Sequence, residues 1–255
     1  MKKITNYLKD TFVETRILIR SIPALLMSFF VISIVGMNLL ANKSINFGVD
    51  WIALDCGIFM SWMCFLTMDV IVKRFGQKAA NIVTVVGLLI NLLISFIFIG
   101  ISYVPGFWSQ SYVEGSEAII NSSLDLTFRG SWFVILGSSI AFVVSGILNN
   151  FLNYLIGKIY KNKSKEEKMS FTEFALRAYV STAIAQFVDN LLFALIVSLN
   201  FFGWNITQCF TCAAVGALFE LVVEIVFSPI GYKILRKMEL DNAGADYLKL
   251  IEAKK

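Results

Sequence analysis

The chain has 255 residues, of which 57% are hydrophobic and only 16% charged, with mean hydropathy +0.73 and a formal net charge of +4. A soluble domain carries nearer a quarter charged residues, so this composition excludes a water-exposed globule and points to burial in lipid. The positive balance does not indicate nucleic acid, because the basic residues lie in blocks between apolar runs, which is a topology signal.

Residues 1–20 form a basic amphipathic segment, with Ile4, Leu8 and Phe12 repeating every four positions, and are expected to lie on the cytoplasmic membrane surface. Six apolar runs follow, near 22–41, 49–72, 79–104, 131–156, 171–202 and 206–235. They predict an all-α, integral membrane bundle of six transmembrane helices over residues 21–237, with residues 238–255 as a charged cytoplasmic tail. The longest polar stretch, 106–129, keeps Phe107, Trp108 and Tyr112 and is expected to rest at the interface. Pro229, near the end of the sixth run, predicts a kink or break.

Charge bias sets the orientation. Lys2, Lys3, Lys9, Arg16 and Arg20 precede the first run, and Lys73, Arg74 and Lys78 follow the second. Lys158, Lys161, Lys163, Lys165 and Lys168 follow the fourth, and Lys233, Arg236, Lys237, Lys249, Lys254 and Lys255 lie in or near the tail. The other side shows only Lys43 and Arg129, so both termini are expected in the cytoplasm of a multi-pass inner or plasma membrane protein.

Six ionisable groups fall in or at the ends of the runs: Asp55, Asp69, Arg177, Asp189, Glu220 and Glu224. Such groups are costly in hydrocarbon and face a bundle interior or a watery cavity. Gln186, Asp189 and Asn190 share one helix face by their spacing of three and four. That face suits a small heterocycle, with Phe187 and Phe193 nearby for stacking; it suits an interhelical hydrogen-bond network as well. Glu220 and Glu224 share another face, where two carboxylates in a poorly solvated site fit proton exchange or pairing with Arg177. In the fourth run Gly137, Ala141 and Ser145 predict close helix packing, and Asn149 and Asn153 line one side. Asp69 with Lys73 and Arg74 reads as a latch at the cytoplasmic end, and Trp62 as a cavity wall.

The chemistry of an enzyme is not visible. There is no glycine loop for phosphate and no histidine in the chain, and the Cys209–Cys212 pair has no second pair to complete a metal or redox motif, so no cofactor or metal is expected.

Three segments resemble the vitamin uptake transporter (VUT) family, which includes the queuosine precursor transporters. Asn38-Leu39-Leu40-Ala41-Asn42-Lys43 is similar to its N-x-x-A-x-K segment. Asp69-Val70-Ile71, then Arg74-Phe75-Gly76, resembles its T-D-V-I-x-E-x-[YF]-G stretch. Ser181 to Leu192, with Gln186 and Asp189, resembles its S-x-x-x-x-Q-x-x-D segment, and Ser228-Pro229-Ile230-Gly231-Tyr232 with Glu239 and Asp241 fits its end. The resemblance implies a six-helix importer of a deazapurine base or vitamin-like compound, with functional roles for Asn38, Lys43, Asp69, Gln186 and Asp189. This chain departs from the pattern at Lys73, where the family often has an acid, and at Trp62, where it often has proline.

The main reading is a small-molecule importer in contact with lipid and not with nucleic acid. Substrate would meet Gln186, Asp189, Asn190, Asn149 and Trp62, while Asn38, Lys43, Asp69, Arg74, Glu220 and Glu224 serve gating or coupling. The alternatives are a substrate-binding subunit of a multi-component ATP-driven importer and a non-transporting scaffold. A homodimer or energising subunits are the macromolecular partners considered.

Overall fold

The computed structural model describes residues 2–45, 47–49, 51–52, 54–105, 117–161 and 169–253. Nearly all of this is helix: α1 (Lys2–Ser21), α2 (Ala24–Leu40), α3 (Ile58–Phe75), α4 (Gln77–Ile101), α5 (Glu117–Lys161), α6 (Phe171–Phe193), α7 (Leu199–Phe201), α8 (Ile206–Leu240) and α9 (Ala245–Glu252). A π-helical turn, Ala194–Ser198, joins α6 to α7. Two short strands, β1 (Ser44–Ile45) and β2 (Leu54–Asp55), pair antiparallel with Ser44 opposite Asp55.

Among the described residues four helical stretches are long and apolar enough to cross a bilayer: Gln77–Ile101, Trp132–Tyr160, Phe171–Phe201 and Ile206–Leu240. Helices α1 and α2 meet at 104° and make a fifth if the bent pair counts as one span. The other expected spans fall short for physical reasons. Helix α2 has 17 residues, and α3 carries Asp69, Lys73 and Arg74 within its 18.

Burial is inverted relative to a soluble protein. On α4, Leu89, Leu93 and Phe96 point outward, and on α8 Leu218, Val222 and Val226 do the same. Helix α5 exposes Ile140, Val144, Ile147 and Phe151 while burying Ser138, Ser145, Asn149 and Asn153. Apolar rows outside and amides inside are what lipid selects. Helix α6 packs chiefly on α5 and α8, α4 on α5, and α3 on α2 and α8, so α3, α5, α6 and α8 enclose a common centre. The small residues of α5 act as expected: a Cβ on Gly137 would run into Val197 and Ile196 of the π-helical turn.

Several expectations need correction. The second apolar run does not begin a helix at Val49. Residues 54–55 form β2, and α3 starts at Ile58 after a turn in which the Asp55 Oδ1 accepts the Gly57 amide at 2.7 Å, an Asx-type turn that competes with helix. Within the polar stretch, residues 117–129 extend α5; Phe107, Trp108 and Tyr112 lie outside the described residues. Pro229 does not break α8. Its missing amide would leave the Ile225 carbonyl free, and the Ser228 hydroxyl donates to that carbonyl at 3.0 Å instead.

The tail is also more ordered than a charged run suggests. Helix α9 lies against α1, burying Tyr247, whose ring meets Phe75 edge-on at 5.9 Å. Arg74 fixes the preceding turn, donating from Nε and Nη2 to the Ala243 carbonyl at 3.1 and 2.8 Å. The Lys78 ammonium pairs with Glu14 of α1 at 2.5 Å. The last part of α1, the α3–α4 turn and α9 therefore gather at one end of the bundle, with Arg16 and Arg20 on α1 and Lys233 and Lys237 on the end of α8 that leads into α9.

Candidate functional site

The α6–α8 seam brings together the residues singled out on those two helices. Glu220 is completely buried. Its carboxylate accepts the Ser61 hydroxyl from α3 and the Asn190 amide at 3.1 Å. With the Gln186 amide turned so that its nitrogen faces α8, that nitrogen donates to Glu220 Oε2 at 3.0 Å, the orientation the hydrogen-bond network requires. Glu220 thus holds three donors from two neighbouring helices. Gly216 makes room for this, since a Cβ there would strike the Asn190 amide.

Asp189 stands beside this group and accepts the Ser145 hydroxyl of α5 at 2.6 Å. A small cavity of about 30 Å³ lies between α2, α3, α5 and α6, lined by Asp55, Ser61, Ser138, Asp189, Asn190 and Phe193 among others. That volume is close to one water molecule's share of the liquid. Asp55 reaches the cavity from β2, outside the helices, and burial pushes its carboxyl up to about 6 although the Gly57 amide stabilises the ionised form. Of the expected stacking rings, Phe193 lines the cavity and Phe187 is not among its walls.

A second polar layer lies toward the basic end. Asp69 is fully buried. Its Oδ1 accepts Asn149 and Asn153 at 3.0 and 2.8 Å, and its Oδ2 accepts the Lys73 ammonium at 3.0 Å. The Lys73 side chain is itself fully buried, and its ammonium sits 3.9 Å from the centre of the Phe174 ring. Arg177 closes the layer, donating to the Asn153 carbonyl and Oδ1 at 3.2 Å each and pairing with Glu173 at 3.4 Å. Both Glu224 oxygens are buried without a hydrogen-bond partner.

The remaining expected residues are placed elsewhere. Asn38 is buried and donates to Asn91 of α4 at 3.1 Å, and Asn91 continues to Ser139 of α5 at 3.2 Å. Lys43 is exposed, and its carbonyl accepts the Cys56 amide at 2.8 Å. Trp62 stacks on Phe227 at 4.3 Å between α3 and α8 and is not among the cavity walls. The latch is split: Lys73 bonds to Asp69 while Arg74 bonds to Ala243. Cys209 and Cys212 are buried free thiols.

Lys73 lies four residues after Asp69, the spacing of a helical ion pair, and that half of the expected latch forms inside the bundle. Ser61 is not singled out by the sequence. A single serine in an apolar run gives no such signal.

Residues 55–234 match the model of the family described as "Putative vitamin uptake transporter". The chain belongs to this family. No curated protein and no solved structure matches it. The vitamin uptake transporter match runs from Asp55 to Ile234 within α8, and so contains Glu220, Gln186, Asp189, Asp69, Lys73 and Glu224 of the two polar layers. Membership in this family and the apolar outer faces of its helices make the chain a multi-pass membrane protein of a transporter family.

Proposed function

We propose that this vitamin uptake transporter imports a small planar heterocycle, such as a 7-deazapurine base or a vitamin-like compound, across the cytoplasmic membrane by alternating access. In this reading α2, α3, α4, α5, the α6–α7 stretch and α8 are six spans and both ends lie in the cytoplasm. The gathering of α1, α9 and the Lys73–Lys78 turn at one basic end supports that orientation. The charges that lower the apolarity of α3 are Asp69 and Lys73, paired inside the bundle, and Arg74, bonded at its end.

The observation that carries the reading is the set of groups around Glu220: two amides and a hydroxyl on one carboxylate, beside a cavity that Asp189, Asp55 and Phe193 also face. A planar base presents N–H and C=O edges and an apolar ring. It exchanges these amides and carboxylates for its own edges and lays its ring against Phe193, the usual mixture in small-molecule sites. At about 30 Å³ the cavity is far smaller than the roughly 300–1,000 Å³ of sites for drug-sized ligands. Loading therefore separates α2 and α3 from α6 and α8, and the hydrogen bonds to Glu220 re-form without substrate.

The test is a thermal-shift screen of the purified chain with nucleobases, deazapurines and B-group vitamins. A compound that prefers the folded form raises the midpoint with concentration. Uptake of that compound into vesicles holding only this chain is expected. Stabilisation without uptake would transfer the energising step to a partner, and no stabilisation by any compound would remove the reading.

A further inference from the structure

Glu224 is the one completely buried carboxylate among the described residues with neither oxygen engaged. Buried polar groups in native proteins are nearly always bonded, and an ionised carboxylate without donors or a counter-charge is among the costliest of all. Glu220, one turn away on the same helix, shows the contrast with its three donors.

The charged and titratable groups around Glu224 are few. From α3 come Asp69 and Lys73, which act on it electrostatically but bond to each other at 3.0 Å. Helix α6, which packs on α8, carries Arg177, occupied by Glu173 and Asn153, and Tyr179, whose hydroxyl is 2.8 Å from Ser228. From α8 itself comes Glu220, and α5 contributes the uncharged Asn149 and Asn153. Asp69 balances Lys73, and Glu173 balances Arg177. Among the described residues, the two cations of the layer are therefore already paired, and none is left for an ionised Glu224.

We propose that Glu224 takes up and releases a proton during the transport cycle, and that Lys73 is an internal cation alternating between Asp69 and Glu224. When the layer opens to water, the Glu224 O–H gives its proton to a water molecule and keeps the electron pair. The new carboxylate draws the Lys73 ammonium from Asp69 Oδ2. Lysine suits this move, because its charge rides on a flexible four-carbon stem and the Phe174 face supports it on the way. Asp69 survives the loss because Asn149 and Asn153 still donate to its Oδ1. The layer then bears one net negative charge, and reprotonation of Glu224 returns Lys73 to Asp69. Two helices, α3 and α8, are thereby linked or released according to proton occupancy.

The inference rests on the import reading for its purpose, but its test needs no transported compound, so the two fail separately. Infrared spectra of the full-length protein in lipid are recorded across a pH titration. The wild type is expected to show the high-frequency carbonyl stretch of a protonated carboxyl free of hydrogen bonds. Glu224→Gln removes that band and Glu220→Gln keeps it. Lys73→Met, which withdraws the compensating cation, moves the pH of band loss upward by about one unit or more. Should Glu224→Gln fail to fold, Glu224→Asp must shift the band; should Lys73→Met fail, Lys73→Gln replaces it. A wild type without the band at neutral pH, a band indifferent to both Glu224 substitutions, or a titration unmoved by loss of the Lys73 charge overturns the proposal.

Discussion

Gln186 and Glu220 face each other across the α6–α8 seam, amide nitrogen to carboxylate oxygen at 3.0 Å. The contact ties the face of α6 that carries Asp189 and Asn190 to the buried face of α8. Removing its acceptor takes away the carboxylate partner of the Gln186 and Asn190 amides, while the Ser61 hydroxyl keeps the Ile58 carbonyl at 3.2 Å.

Glu220→Ala is therefore expected to destabilise the folded protein by roughly 2–4 kcal/mol, more than a cavity of that size alone would cost. Glu220→Gln keeps the shape and is expected to lose much less. The measurement is the unfolding midpoint of each variant in detergent. Equal midpoints for Glu220→Ala and wild type would mean that the three donors find other partners.

Asp189→Asn retains an oxygen for the Ser145 hydroxyl and should leave abundance in the membrane unchanged. It removes the ionisable carboxyl from the cavity wall, and uptake of the compound found by the thermal-shift screen is expected to fall at least about tenfold, the equivalent of about 1.4 kcal/mol. Fluorescence-detected size exclusion reports folding, and vesicle uptake reports function. Normal uptake by this variant would withdraw Asp189 from the binding face.

Asp55 provides a pH dependence with a definite sign. Its carboxyl is raised from 3.8 to about 6 by burial in the folded chain. A raised acid stabilises the fold fully below the unfolded value, and that contribution is lost as pH rises through the folded one. Wild-type stability should thus decline between pH 4 and pH 6 relative to Asp55→Asn, by something on the order of 2 kcal/mol once partial exposure is allowed for. Parallel pH profiles for the two proteins would show that Asp55 titrates normally.

Tyr247→Ala should release α9 from Phe75 and α1, at about 3 kcal/mol of local stability. Burial and the neighbouring Glu14 hold the Tyr247 phenol at about 12, so an ionised tyrosine is not the cause of any change near neutrality. Limited proteolysis at the 241–244 turn reads the release; an unchanged cleavage rate would place the strength of the docking elsewhere. Gly244→Ala offers a second route, because its φ of +76° and the approach of Phe75 both exclude a side chain.

Gly137→Ala should cost roughly 1–3 kcal/mol by forcing α5 away from Val197 and Ile196. Ala141→Gly, on the same face, creates no such collision. The comparison of their unfolding midpoints checks whether the small-residue stripe serves close approach.

Much of this was legible in the sequence because lipid makes polarity expensive. The spacing of Gln186, Asp189 and Asn190 indicated one face, and α6 places them beside the cavity or on Glu220. The apolar runs located α4, α6 and α8 closely. Hydropathy failed where local polar chemistry competes with it. Asp55 turns the chain through its own side chain, so the second run became a hairpin and a shorter helix. Ser228 repaired the defect at Pro229, which no proline rule anticipates. Charge counting groups Lys73 with Arg74 and Lys78 at the cytoplasmic end of the second run, whereas its side chain is buried with Asp69 one turn back inside the bundle. Asn149, expected at the cavity, is held instead by Asp69, a contact between residues 80 positions apart that sequence spacing does not reveal.

The wide turn at Ala194–Ser198 follows directly on Phe193, the ring beside the cavity. A π-helical turn accommodates one residue more than the ordinary pitch. Drawing that slack into α-helix swivels everything beyond it by about 100° and advances it by about 1.5 Å. The outer third of the α6–α7 stretch is consequently able to pivot while Gln186 and Asp189 stay seated, a built-in swivel one turn from the wall that must part.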